Sequence, residues 1–242
     1  MIGVKKLLAQ NGIFAMETNY ALDVVDKFQL EVINHEHISY FSVTSLSKFL
    51  EKYGLEIFVA KRVPSKSGSL RCYIKHKAGK SKVDDSVSDA KSFEENYGLF
   101  MPSVWKSMTS TVEHVSAVSR KYLSARANSG IAAYGSSIGA TTLLYSLKIG
   151  EFFRIFIDDD PYRQDLESPG FAIPTASREN ILFQPPDIQF CAVLAPRYVS
   201  QIVSNNQQAI KSGVKFLRVW PMLEEVPYQP WRGETATRYF ER

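Results

Sequence analysis

The residues best equipped for proton chemistry lie close together near the start of the chain, in Asn34-His35-Glu36-His37. Two of the four histidines and a carboxylate fall within three positions, between a strand-like run and an amphipathic one. An imidazole suits proton abstraction because its ordinary pKa, about 6.5, lies near working pH, and a neighbouring glutamate can orient it and hold the imidazolium that forms. The residues alone leave three readings open: a surface loop, a catalytic base, or half of a metal site. The metal reading needs further ligands, and His76 and His114 do not supply the spacing.

A second candidate is Gly135-Ser136-Ser137-Ile138-Gly139, placed after the apolar run Ile131–Tyr134 and opening a helix-like stretch. Glycines and hydroxyls at that position free backbone N–H groups to meet a phosphate, and tight strand-to-helix packing accounts for the same glycines. The spacing is short of a full Gly-x-Gly-x-x-Gly fingerprint. Phe156-Ile157-Asp158-Asp159-Asp160-Pro161 ends the next strand with carboxylates. A carboxylate there either binds ribose hydroxyls or caps a turn.

These residues need elements to carry them. Val4–Leu8 reads as a short helix, Ile13–Met16 as a strand, and Ser42–Tyr53 as an amphipathic helix that Ser42 or Thr44 can cap and Gly54 ends. Strands follow at Glu56–Val63 and Ser69–Lys75, and two helical stretches bracket Pro102. From Ile131 onward strands alternate with helices: strands at 131–134, 153–157, 188–194 and 215–219, helices at 141–147 and 199–211. That alternation predicts right-handed crossovers and a mostly parallel sheet. The composition shift near Ala78 and Gly130 divides the chain into 1–78, a linker with helices over 79–130, and a C-terminal domain over 131–242.

Composition narrows the function classes. With 45% hydrophobic and 22% charged residues, the 242-residue chain can bury a sizeable core. A net charge of +4, dispersed, does not point to nucleic acid. The densest basic run, Lys75, Lys77, Lys80 and Lys82, reads as a solvated connector. No apolar run reaches the ~18–20 residues that cross a bilayer, and the N-terminus lacks the order of a secretory signal. Cys72 and Cys191 sit in apolar runs as structural thiols, so a cytoplasmic location is expected.

Four stretches, Ile33–Ser42, Ser67–Arg71, Ala133–Leu144 and Ile157–Pro174, occur in an order that resembles the sugar C-methyltransferase family. The resemblance implies a partial Rossmann-like methyltransferase domain followed by a small Rossmann-like parallel-sheet α/β domain. It implies S-adenosylmethionine as methyl donor and a nucleotide-linked keto-sugar as acceptor. His37 takes the position of the family's general base and Glu36 that of its acidic neighbour. Asn34, Arg71, Tyr134, Gly135, Ser136 and Asp158 fall at substrate-binding positions. The pattern departs at Asn34, where the family usually has tyrosine, at Ser67-Gly68, where it has two glycines, at Gly139, where it has lysine, and at Pro196-Arg197, where it favours Trp-Asn. The family's zinc module and donor-binding glycine loop have no counterpart in this sequence, so a donor-binding segment, a partner chain or self-association is expected. The expectation competing with an enzyme is a non-catalytic module that binds a nucleotide sugar or a protein. A dinucleotide-dependent oxidoreductase is disfavoured by the incomplete glycine fingerprint.

Overall fold

The structure, a computed structural model, describes residues 1–182 and 188–227. The expected tail from Met222 is therefore described only to Pro227, and residues 228–242 lie outside the described part. The chain forms two compact units. The first is residues 1–29 with 36–108, and the second is residues 30–35 with 109–242. The backbone thus leaves the first unit at Gln29 and re-enters it at Glu36, inside the histidine loop.

The first unit is built in the order α1 (Ile2–Leu7), β1 (Phe14–Asn19), α2 (Ala21–Asp26), α3 (Val43–Glu51), β2 (Leu55–Val63), β3 (Ser69–His76) and α4 (Ser86–Tyr97). β3 lies between β1 and β2 and pairs antiparallel with both. Of the two expected caps for α3 it is Ser42 that acts: its Oγ accepts the Ser45 N–H at 3.0 Å, and Ser45 Oγ accepts the Ser42 N–H at 2.9 Å. Of the apolar positions its spacing marks, the helix region buries Val43, Leu46 and Leu50, while Phe49 and Tyr53 are half-buried. Gly54, at φ +69°, makes the turn into β2.

The basic run is corrected in part. Lys75 is not in a solvated connector but inside β3, only 4% exposed, with Nζ 2.5 Å from Glu56 Oε1 and donating to the Gly79 carbonyl at 3.1 Å. Strand alternation puts it on the face of Arg71 and Tyr73, away from buried Leu70, Cys72 and Ile74, and its long aliphatic stem with the Glu56 and Gly79 bonds makes the burial possible there. Lys77, Lys80 and Lys82 are exposed.

The helix α5 (Pro102–Ser124) begins in the first unit and continues into the second from Thr109. Proline at its first residue fits a helix start, where the missing N–H costs nothing. The second unit continues with β4 (Ile131–Tyr134), α6 (Ile138–Leu147), β5 (Ile155–Ile157), β6 (Thr175–Ala176), α7 (Arg178–Ile181), β7 (Phe190–Val193), α8 (Val199–Asn205), α9 (Gln207–Lys211), β8 (Lys215–Arg218) and β9 (Glu224–Glu225).

The sheet order is β6-β5-β4-β7-β8-β9, parallel except for β9. Counted from the first strand of this unit, that is the 3-2-1-4-5-6 order of a Rossmann-like sheet. The expected α/β class is therefore what the chain adopts. β4 and β7 are buried at every residue, as central parallel strands must be. Several findings differ from the expected elements, the short helices α2 and α7 among them, which have no expected counterpart. The single helix over 199–211 is broken at Asn206, fully buried, whose Nδ2 donates to the Ile202 carbonyl at 2.7 Å. The two-residue strands β6 and β9 were not expected, being too short to show a period. Cys72 and Cys191 are both fully buried and unpaired, and burial pushes the Cys72 thiol up to about 12. Among the described residues no helix is long and apolar enough to cross a membrane.

Candidate functional site

In the first unit the expected base is tied to the sheet. His37 Nδ1 accepts a hydrogen bond from Asn19 Nδ2 at 3.0 Å, and Tyr40 stands edge-on to the ring with centroids 6.4 Å apart. Asn19 is the last residue of β1, so the rigid edge of an antiparallel pair fixes one end of a loop imidazole. His37 is half-buried and Glu36 is exposed.

Arg71 lies on β3 directly opposite Glu17 of β1, two residues before Asn19. Its guanidinium donates to Glu17 Oε2 from Nε at 2.9 Å, with Nη2 at 2.8 Å. Bonds from Ser65 and Arg71 hold the Glu17 carboxyl below its usual range, and the Glu17 bond raises Arg71. Because alternate residues of a strand share a face, Glu17 and Asn19 face the same way.

The loop leading to Arg71 rests on a buried ion cluster. Asp23, fully buried, accepts from Arg62 Nη2 at 2.6 Å and Nε at 3.0 Å, and lies 2.6 Å from Lys27 Nζ. Lys27 and Gln29 both donate to the Ser67 carbonyl, at 2.9 and 3.0 Å. Gly68 lies so close that a Cβ there would stand 2.6 Å from the Asp23 carboxylate and the Lys27 ammonium, at a φ of +140°. One glycine of the expected pair is thus required by packing and conformation together.

Glu94, fully buried on α4, was not anticipated from the sequence. Its carboxylate accepts the Tyr20 hydroxyl at 2.9 Å and the first N–H groups of α3, Val43 at 2.6 Å and Thr44 at 3.0 Å. Burial, with the charge of Glu94, raises the Tyr20 phenol. The element that follows the histidine loop is therefore anchored at its positive end by an internal anion.

In the second unit four expected residues converge at the carboxyl end of β4. This is the switch point where the strand order reverses and ligands of open α/β sheets bind. Gly135, at φ +98°, brings its backbone against Ala195, whose Cβ would be 3.2 Å from one added at the glycine. Ser136 donates to Asp158 Oδ2 twice, from its N–H at 2.8 Å and its hydroxyl at 3.0 Å. The same carboxylate accepts from the Asp160 N–H at 2.9 Å and Arg163 Nη1 at 3.3 Å. Burial alone would raise Asp158, but these donors outweigh it and hold the carboxyl below its ordinary value. The Tyr134 hydroxyl donates to Asp159 Oδ1 at 2.8 Å, and burial lifts its pKa.

This arrangement bears on a methyl donor. A donor or dinucleotide site in such a sheet needs free amides at the first loop and a free carboxylate after the second strand. Here the Ser136 amide and the Asp158 carboxylate satisfy each other. The residues present do not fit a donor cradle at this position.

Asn34 belongs by packing to the second unit, and its Nδ2 donates to the Glu31 carbonyl at 3.4 Å. Residues 30–35 sit on α6, where the Thr142 hydroxyl donates to the Ile33 carbonyl at 3.3 Å. Two departures from the family pattern meet at Glu31. A Cβ on Gly139 would lie 3.0 Å from the Glu31 carbonyl oxygen and 3.1 Å from its Cβ. Arg197 Nε donates to Glu31 Oε1 at 3.0 Å. Absence of a side chain at 139 makes room for this segment, and the arginine at 197 supplies its counter-charge. Sequence reasoning missed Asn19, Glu94 and the Glu31–Arg197 pair because their partners are 18, 51 and 166 residues away. Asn19 gave a signal, as a polar residue ending a strand.

Comparison with known proteins agrees with this architecture. A family model described as the C-methyltransferase C-terminal domain matches residues 64–221. C-methyltransferase NovU of Streptomyces niveus is 27% identical over 218 residues, which cover 89% of this chain and 51% of that protein. The chain thus spans about half the length of this curated relative. With most of its length matched by the family model, this chain belongs to the C-methyltransferase family.

Proposed function

We propose that this chain carries the acceptor-side chemistry of a methyltransferase that acts on a carbon of a nucleotide-linked keto-sugar. The observation that carries the reading is the tethered imidazole: His37, at the family's base position, is held at Nδ1 by Asn19 on the sheet. In this reading His37 removes the proton beside the ketone, electrons move onto the carbonyl oxygen, and Glu36 holds the imidazolium. The enolate carbon is the nucleophile. S-adenosylmethionine is the methyl source the family implies; when bound it would supply an electrophilic methyl to that carbon, the methyl–sulfur bond breaking with its electron pair left on sulfur as S-adenosylhomocysteine.

Asn34, Arg71, Tyr134, Gly135, Ser136 and Asp158 are proposed as substrate-binding residues on the family resemblance, the last four gathered at the switch point of the second unit's sheet. Because the Ser136–Asp158 pair leaves no donor cradle there, the donor is expected to be held by another segment or a partner chain, in the cytoplasm.

The test is exchange of the sugar's α-proton in deuterated water, followed by NMR with a thymidine-diphosphate-linked 4-keto-6-deoxysugar as probe. His37→Ala should abolish exchange while nucleotide-sugar affinity changes by less than threefold. Equal exchange in the variant and the wild-type chain would remove His37 from the chemistry. Binding of the sugar without exchange, even with a donor-binding partner added, would favour a binding module. Titration of S-adenosylmethionine into this chain alone should show no heat, and tight binding would overturn the account of the donor.

A further inference from the structure

A sheet edge carries unpaired N–H and C=O groups, and folds blunt such edges with bulges, charge, short strands or a covering segment. On the far side of the first unit's sheet, β2 bulges between Ile57 and Val59 and carries Lys61 and Arg62. Its outward groups are also taken: Ser86 Oγ accepts the Ala60 N–H at 3.2 Å, and the Asp84 N–H donates to the Phe58 carbonyl at 2.9 Å. In the second unit the edge strands β6 and β9 are two residues long. β1 has none of these devices. It runs in unbroken register with β3 over six residues, without proline or lysine, and among the described residues no strand pairs with its other side.

The ladder fixes which groups of β1 are open. Just past β3, Lys77 donates its N–H to the Gly54 carbonyl at 3.0 Å, so odd-numbered residues of β3 bond toward β2 and even-numbered ones toward β1. Ala60, opposite Cys72 and bonded outward to Ser86, obeys the same alternation. Phe14, Met16 and Thr18 therefore bond to their opposites Ile74, Cys72 and Leu70, while Ala15, Glu17 and Asn19 turn outward. From Asn19 onward the segment at Phe41 takes the outer side, bridging Tyr20 and accepting the Ala21 N–H at 2.9 Å. Among the described residues four main-chain groups stay open, the N–H and C=O of Ala15 and of Glu17.

We propose that this edge pairs with β1 of a second copy of the chain, antiparallel about a twofold axis at Met16. In that register Ala15 of each copy faces the partner's Glu17, and the four open groups on each side meet in four hydrogen bonds with none left over. A second copy is favoured as occupant because the same groups donate and accept on both sides, as a twofold contact requires. No like charges stand directly opposite: Glu17 faces a methyl side chain and is paired with its own Arg71 at 2.8 Å. Ile13 beside the strand, with Ile2 and Leu7 on α1, which buries none of its residues, is exposed and adds apolar surface at the amino end of β1. Two three-stranded sheets would thereby become one. The pairing is independent of the role of His37.

Sedimentation velocity of the full chain from about 2 to 200 µM reads the pairing, a range suited to the weak association of a short edge. A species of twice the 27.4 kDa chain mass should grow with concentration. Hydrogen exchange at the Ala15 and Glu17 amides should slow over the same range. Ala15→Pro removes one outward donor and leaves the ladder to β3 intact, so circular dichroism should be kept while association weakens by about tenfold or more. Charge at the same site reads the register. Ala15→Glu faces the partner's Glu17 and should weaken association about fivefold, whereas Ala15→Lys should tighten it by about the same factor. These two variants carry the test if proline unfolds the chain. A chain that stays monomeric at about 200 µM would overturn the proposal. Association that none of the three variants changes would overturn it too, because the contact would then lie elsewhere on the molecule.

Discussion

Replacing Glu94 tests how the first unit holds the element after its histidine loop. The carboxylate is fully buried and accepts three hydrogen bonds, from Tyr20, Val43 and Thr44. Two of those donors are free N–H groups at the positive end of α3, so charge and dipole reinforce each other. Glu94→Ala removes the acceptor and leaves three donors inside the protein. Each buried donor left unpaired costs about 1–3 kcal/mol before relaxation, so a net loss of about 3–5 kcal/mol is expected. Glu94→Gln keeps one oxygen but turns an NH2 group toward a donor, and should cost about 2 kcal/mol. Tyr20→Phe removes one donor and its own need for a partner, so it should cost about 1 kcal/mol or less. Its effect should largely vanish in the Glu94→Ala background, because both changes break the same bond. Urea unfolding reads these values. At a slope of about 3 kcal/mol per molar, the Glu94→Ala midpoint should fall by more than about 1 M. Hydrogen exchange at the α3 amides should speed up in parallel. Glu94→Ala within about 0.5 kcal/mol of wild type would refute the argument, since three buried donors left without their acceptor cannot be that cheap.

Further outcomes follow from the same geometry. Above pH 9 the chain should lose stability: the folded Cys72 thiol, pushed up to about 12 from 9.0, stays protonated while the unfolded one ionises. Stability from a raised group is complete below the unfolded pKa and is lost as pH rises toward the folded one, so about 2 kcal/mol should go by pH 10.5. Urea midpoints at pH 8 and 10.5 measure this, and Cys72→Ala should reduce the difference without abolishing it, because burial also raises Cys191, Tyr20 and Tyr134. Asp158 has the opposite sign: its depressed pKa stabilises the fold above the ordinary carboxylate range and is lost as pH falls below it. Asp158→Asn should therefore cost about 1–2 kcal/mol at pH 7 and little at pH 2.5, read by the same unfolding curves. Arg197→Ala should destabilise by about 2 kcal/mol by leaving Glu31 partly buried without its cation, and Glu31→Gln should restore part of that loss. Gly139→Ala should displace residues 30–35 from α6, which a chemical-shift map of Glu31 and Ile33 would report; unchanged shifts there would contradict the packing.

Periodicity carried the regular elements, because apolar spacing is a local property of consecutive residues. The amphipathic helix at Ser42–Tyr53 kept its capping serine and its buried face. The alternation after Ile131 gave a parallel sheet. Lys75 was legible as a strand end and as a member of a basic run, but only pairing with β2 shows that it is buried beside Glu56. The break at Asn206 and the two-residue strands were likewise invisible: a buried side-chain bond to the Ile202 carbonyl marks the first, and only pairing with β5 and β8 defines the others.

For the candidate site the division has the same physical origin. Residue type and motif order singled out His37, Glu36 and the Gly135–Asp158 region without reference to space. Tertiary structure alone decided that Asn19 takes one nitrogen of His37, that Ser136 and Asp158 satisfy each other, and that the backbone from 30 to 35 is held by Gly139, Thr142 and Arg197. A side chain's chemistry is written in its own covalent structure, whereas its protonation and orientation depend on partners that the fold brings from far along the chain.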